Sequence, residues 1–293
     1  MAEPVSLTLA DGRLAGLGWG EPDAPTWLAL HGWLDNAATF TRLAPLLVEA
    51  LGVRIVAIDF AGHGQSRPHP DGVDYAIWDY LHDALDALEE LDLAPATLLA
   101  HSMGAGVSCL LAAAFPERVE RLMLIDSLGT LSTPAEQMPE QLRKGIQGHR
   151  RRLSPAPRYA DIESAVAARG KGGVMPLDAA TVRPLVTRNA APLADGGVQL
   201  RTDPRLMRPS LVRFTPEQVL ANLAAIEAPV MLVEGETGVL PNRVGIERAR
   251  AAVKRLHRRV LPGGHHLHLD PRTVAAVAEA IIAWHSQEGA SGR

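Results

Sequence analysis

Apolar residues in this chain fall in short consecutive runs rather than on alternate positions. TWLALHG (26–32), RIVAIDF (54–60), ATLLAHS (96–102), RLMLIDS (121–127), PVMLVEG (229–235) and RRVLPGG (258–264) read as strands, and most of them are apolar on successive residues. Unbroken apolar runs of this length mark strands buried on both faces, as in a parallel sheet covered by helices. Between them lie stretches with helical spacing: Tyr75–Leu91, the Ala- and Leu-rich Gly104–Phe115, and Thr273–His285. Strand–helix alternation predicts an α/β fold with right-handed crossovers. The opening VSLTLADGRLAGLGWG predicts an antiparallel hairpin turning at Asp11-Gly12.

The rhythm breaks between about residues 128 and 228. This segment is rich in proline and glycine pairs and carries helical fragments at Ala135–Arg151 and Asp161–Arg169, with no convincing strand. It predicts a helical cap, 128–228, inserted between two strands of a core formed by 1–127 and 229–293, and set over the sheet's C-terminal edge. The tail after His285 is polar and is expected to be disordered.

Composition narrows the function. The chain has 293 residues and a formal charge of −4, from 33 acidic and 29 basic residues. Neither nucleic acid nor an anionic membrane finds an electrostatic footing there. The basic run His149–Arg152 is short and reads as a solvated helix face. Cys109, the sole cysteine, excludes an internal disulfide and a cysteine-based metal site. The N-terminus has neither a basic n-region nor an apolar h-region, so a cytoplasmic location is expected. Residues 94–115 lack Lys, Arg, Asp and Glu and have the length of a membrane span. His101-Ser102, the glycines and Pro116 break them into a strand, a turn and a helix.

The turn in that segment carries the chemistry. Ser102 directly follows the strand ATLLA and precedes the helix that begins near Gly104. A sharp strand-to-helix turn lifts its middle side chain out of the sheet, at the cost of a backbone pushed towards positive φ. Residues two positions either side must be small, and Ala100 and Gly104 are. This is a nucleophile-elbow pattern, with Ala100 in place of the first glycine of G-x-S-x-G. The competing reading is a buried serine bonded to its own backbone. His31-Gly32-Trp33 ends another central strand. The N–H groups of Trp33 and Met103 together make a two-donor oxyanion hole, while the His31 side chain orders the loop. Asp59–Ser66 is a glycine-rich turn without a phosphate-loop lysine.

HGWLDN, DFAGHGQS, AHSMGAG and PGGHHLHLD occur in this order over nearly the whole chain. Together they resemble the α/β-hydrolase superfamily, and the cap stretches RYADIESAVAARG and GGVQLRTDPRLMRPSLVRFTPEQV resemble its serine hydrolase-like group. The resemblance implies an α/β-hydrolase fold: a mostly parallel sheet, helices on both faces, and a helical cap before the last strands. It also implies a catalytic histidine directly after the glycine of PGGHH, which is His265, leaving His266 and His268 to packing or loop roles. Three close histidines also raise the question of metal, but no carboxylate or cysteine stands at ligand spacing. Neither a cofactor nor a metal is expected.

The acid departs from the superfamily's pattern. Its usual position holds Gly238, which offers no side-chain acceptor. Asp126, ending the strand RLMLID, is the favoured substitute, because some members carry their acid there. Glu236 is the alternative, and Asp270, ahead of Pro271, reads as a helix cap. The expected function is a carboxylesterase-like serine hydrolase (class 3.1.1) acting on a small ester-like substrate through a covalent acyl-enzyme. His31, Phe40 and Trp78 are candidates for the pocket, with core packing as the competing role. Carbon–carbon, lactone and amide hydrolysis stay open, as does a non-catalytic binding protein on this fold, which Gly238 encourages. Epoxide and haloalkane hydrolysis need an aspartate where Ser102 stands.

Overall fold

A computed structural model describes residues 3–172 and 175–291. The chain opens with β1 (Val5–Leu9) and β2 (Leu14–Trp19), an antiparallel pair. There follow β3 (Thr26–Leu30), α1 (Leu43–Leu51), β4 (Arg54–Ile58), α2 (Tyr80–Glu90), β5 (Ala96–His101), α3 (Met103–Ala114) and β6 (Val119–Ile125). The excursion after β6 contains α4 (Met138–Arg150), β7 (Arg158–Tyr159), α5 (Ile162–Lys171), α6 (Ala179–Asn189), β8 (Ala190–Pro192), β9 (Val198–Leu200) and α7 (Pro216–Ala225). The chain returns through β10 (Val230–Gly235), α8 (Ile246–Ala252), β11 (Leu256–Leu261) and α9 (Val274–Ser291).

Eight strands form one sheet in the order β1-β2-β4-β3-β5-β6-β10-β11, parallel from β4 onward. Consecutive apolar residues in each run divide between the two faces. Leu28, Val56, Leu98, Leu122 and Leu232 pack with α2, α3, α7 and α8 on one side. Ala29, Ala57, Leu99, Met123 and Val233 pack with α1 and α9 on the other. Burial on both faces is why these strands show no alternation. From β3 the chain steps to β4 on one side, then returns to β5 on the other. The reversal opens a crevice beyond the carboxyl ends of β3 and β5, where ligands of open α/β sheets sit.

Several elements differ from expectation. Helix α2 begins at Tyr80, not Tyr75, because the Tyr75 hydroxyl donates to Asp203 in the excursion, 2.7 Å away. Helices α1 and α8 are additional. The excursion is not purely helical: β7, β9 and β8 form a small antiparallel sheet on which α5 and α6 pack. Helix α7 lies against α3, with Val219 and Leu223 in the main core. The tail is not disordered through 291, since α9 continues past His285, with Ser286 Oγ donating to the Ile282 carbonyl and Glu288 paired with Arg255. Residues 1, 2, 292 and 293, at the ends of the stretches read above, lie outside the described residues, as do Gly173 and Val174. Among the described residues no helix is long and apolar enough to cross a membrane; α3, the apolar candidate, has 12 residues.

Candidate active site

Ser102 sits at the sharp junction of β5 and α3 with φ 52° and ψ −114°, a left-handed backbone that a serine adopts only where its surroundings enforce it. The enforcing contacts are visible. The Ser102 N–H donates to Ile125 O on β6, and the Gly104 N–H donates to His31 O beyond β3. A Cβ on Gly104 would come closer than 3.0 Å to the Leu30 carbonyl, so helix and strand approach as the sequence requires.

His265 lies in the loop after β11, and its imidazole bridges two groups. Its Nε2 is 2.9 Å from Ser102 Oγ, and its Nδ1 is 2.7 Å from Asp126 Oδ2. A carboxylate can only accept, so the Nδ1 hydrogen points at Asp126 and Nε2 is left to receive the serine proton. His265 and Asp126 are buried. Asp126, at the end of β6, is itself held at φ 45°. Its Oδ1 accepts the Gly235 N–H at 3.1 Å and its Oδ2 accepts the Val239 N–H at 2.9 Å, so the β10 exit loop grips the carboxylate. Glu236, the alternative acid, is exposed on that same loop. Asp270 pairs with Arg272 instead.

Trp33 and Met103 follow β3 and β5, the two strands that flank the crevice. Met103 opens α3, where the first N–H groups have no partner within the helix. Gly32, Trp33, Ser102 and His265 line one small cavity, together with Asp35, His101, Arg169 and His266. Trp33 also reaches into the excursion, its Nε1–H donating to Leu206 O at 3.1 Å. A second cavity of about 410 Å³ lies beside the first, sharing Leu34 and Arg169 with it. Its wall is largely apolar, with Leu153, Leu185, Val186, Leu200 and Met207 on it.

His31, Phe40 and Trp78 line neither cavity. His31 is a buried loop pin: its Nδ1–H donates to Gly32 O at 2.7 Å and its Nε2 accepts the Phe60 N–H at 3.0 Å. Phe40 is wholly buried in the core between the sheet and α1. Trp78 packs edge-on against Phe214. All three take the packing role.

The residue that sequence spacing missed is Asp35. It is buried beside His101 and His266, with Arg169 from α5 on its other oxygen. Burial pushes its carboxyl up, but the neighbouring His266 outweighs that and holds it well below the usual range. Burial lowers His101 to about 4 despite Asp35, so its ring is neutral near pH 7. Asp59 has a comparable place at the end of β4. It accepts the Ala37 and Gln65 N–H groups and pairs with Arg188 of α6, which fastens the excursion to the sheet.

Residues 25–155 match a family model described as the alpha/beta hydrolase fold. A serine hydrolase-like protein of Dictyostelium discoideum is 32% identical over 299 residues, covering 98% of this chain and 82% of that one. Among solved structures, a hypothetical protein of Pseudomonas aeruginosa PAO1 is 41% identical with a TM-score of 0.86, covering 97% of this chain and all of the other. A thioesterase domain from the curacin biosynthetic pathway is 26% identical with a TM-score of 0.79, covering 95% of this chain and 98% of its own.

Proposed function

This chain belongs to the serine hydrolase-like group of the α/β hydrolases, and on that footing we propose that it cleaves esters and related activated acyl compounds through a covalent acyl-enzyme on Ser102. The observation that carries the reading is the unbroken line Ser102 Oγ, His265 Nε2, His265 Nδ1, Asp126 Oδ2, with steps of 2.9 and 2.7 Å.

In this reading Ser102 Oγ attacks the substrate carbonyl carbon while its proton passes to His265 Nε2. Asp126 holds the ring in orientation and stabilises the imidazolium. The Trp33 and Met103 N–H groups receive the oxyanion, where one lost donor costs about 3–4 kcal/mol of transition-state stabilisation. The imidazolium then protonates the leaving alcohol or thiol as the tetrahedral carbon collapses to the acyl-enzyme. Water repeats the cycle, giving its proton to His265 and its hydroxyl to the acyl carbon.

The cavity of about 410 Å³ suits an apolar acyl or alkyl chain, and segment 128–228 acts as the cap that supplies most of its wall. The thioesterase neighbour adds thioesters to the substrates worth trying. A carboxylesterase-type specificity and a cytoplasmic location belong to the same proposal. The non-catalytic alternative draws on Gly238; the Asp126 carboxylate, 2.7 Å from His265 Nδ1, supports the catalytic reading instead. A fluorophosphonate probe together with a panel of p-nitrophenyl esters, thioesters, lactones and amides tests the proposal. Wild type is expected to label and turn over. Ser102→Ala is expected to stay folded and do neither; turnover unchanged in Ser102→Ala overturns it.

A further inference from the structure

The acyl-transfer line has a neighbour that it does not use. Asp35, His101 and His266 are buried, and one ligand atom from each lies within 4.8 Å of the others. His266 Nε2–H donates to Asp35 Oδ2 at 2.9 Å, while Arg169 holds Asp35 Oδ1 at 3.2 Å. His101 Nδ1 stands 3.6 Å from Asp35 Oδ2.

The other nitrogen of His101 fixes its tautomer. Nε2 meets the His265 carbonyl oxygen at 2.9 Å, and a carbonyl only accepts, so Nε2 carries the hydrogen. In the neutral ring Nδ1 is then a bare lone pair facing a carboxylate oxygen, and no hydrogen bond satisfies it among the described residues. An unmet buried acceptor is destabilising, and two acceptors face to face repel. A cation between them turns that repulsion into two ligand bonds.

We propose that Asp35 Oδ2, His101 Nδ1 and His266 Nε2 form a three-ligand site for a divalent transition metal of the zinc type, set against the Ser102 cavity. Two imidazole nitrogens and one carboxylate oxygen suit zinc and its neighbours, whereas magnesium prefers oxygen alone. Ligand atoms about 2.1 Å from a tetrahedral ion stand roughly 3.4 Å apart. The Asp35–His101 and Asp35–His266 separations of 3.6 and 2.9 Å bracket that spacing. On binding, His266 carries its single hydrogen on Nδ1 instead of Nε2. The bonds from His101 Nε2 to the His265 carbonyl and from Arg169 to Asp35 Oδ1 supply outer-shell orientation of the ligands. The cavity that these side chains share with Ser102 is about 10 Å³, room for one water-sized body. An ion there takes the space beside the nucleophile, so it inhibits turnover; that consequence rests on the hydrolase reading, and the binding itself does not.

Chelator-treated Ser102→Ala protein is to be titrated with Zn²⁺ by calorimetry and with Co²⁺ by visible absorption. One equivalent of Zn²⁺ and a d–d band of four-coordinate type are expected, with no comparable Mg²⁺ binding. Asp35→Asn and His266→Gln are each expected to weaken Zn²⁺ binding roughly tenfold or more, and His265→Gln to retain it. Binding that survives both ligand variants, or is lost in His265→Gln, overturns the site. Circular dichroism checks each variant. If Asp35→Asn does not fold, absence of the Co²⁺ band in folded Ser102→Ala overturns the proposal by itself. In wild type, Zn²⁺ is expected to suppress ester turnover and chelator to restore it. A protein that binds zinc but hydrolyses nothing tells against the proposed function and leaves the metal site standing.

Discussion

Gly238 and Asp126 share one volume: a Cβ on the glycine would lie closer than 3.0 Å to all three carboxyl atoms of the aspartate. The position that usually supplies an acid is side-chain-free because a carboxylate from another strand fills its space. The carboxylate reaches His265 from β6 instead of from the loop after β10.

Gly238→Ala should therefore displace Asp126 as well as crowd the loop. Overpacking of this kind costs typically 1–3 kcal/mol, and kcat should fall with it. Moving the acid, as Asp126→Gly with Gly238→Asp, should recover part of the activity that Asp126→Gly loses. Steady-state kinetics on p-nitrophenyl esters read both effects; a double variant no better than Asp126→Gly would show that residue 238 cannot serve His265.

Asp126→Asn should lower kcat by about 10⁴-fold, the scale seen when a triad histidine loses its carboxylate and takes the wrong tautomer. Glu236→Gln, on an exposed side chain, should leave kcat close to wild type. Equal losses in the two would mean that Asp126 is not the acid.

Asp59 and Arg188 should behave as a buried pair. Arg188→Ala leaves the Asp59 carboxylate desolvated and short of its counter-ion, and breaking such pairs costs about 3–5 kcal/mol. Urea denaturation should show a loss on that scale. Asp59→Asn added to Arg188→Met should recover much of it, since no charge is then stranded; additive losses would contradict the pairing.

Acid should destabilise the fold through its buried histidines. Burial lowers His31 to about 4 and His63 to about 3, and it holds His268 well below its usual value. The His31 bonds independently fit a neutral ring, with Nδ1 donating and Nε2 accepting. As pH falls below about 6.5 the unfolded chain takes up protons that the folded chain refuses, so stability drops by up to about 1.4 kcal/mol per pH unit for each group. The loss should run from 6.5 to about 4 for His31 and to about 3 for His63. Denaturation midpoints at pH 7 and pH 5 test this, and His63→Gln should flatten the slope.

What the sequence made legible follows from the range of the forces involved. The parallel strands were readable because burial on two faces removes alternation, and Ser102 because strand and helix nearly touch at Gly104. Helix α8, with seven residues, is too short to show a period, and the strands of the small sheet have two or three residues each. The expectation at Tyr75 failed because a tertiary bond to Asp203 outcompetes helical propensity. Asp35 lies 66 residues before His101 and 231 before His266, so no spacing rule brings the three together. The complementarity of Gly238 and Asp126 is likewise a property of two adjacent strand ends, and the sequence alone reads it as a missing acid.

The bond from Trp33 Nε1 to the Leu206 carbonyl has a consequence for selectivity. In the proposed reaction Trp33 gives its backbone N–H to the oxyanion, while its indole is moored to Leu206 in the segment proposed as the roof of the site. A bulky substrate that lifts the roof must break that mooring or drag the indole with it, and either disturbs the N–H on the same residue. Oversized substrates are then turned away at the chemical step as well as at the door, and they should show a depressed kcat even when they bind.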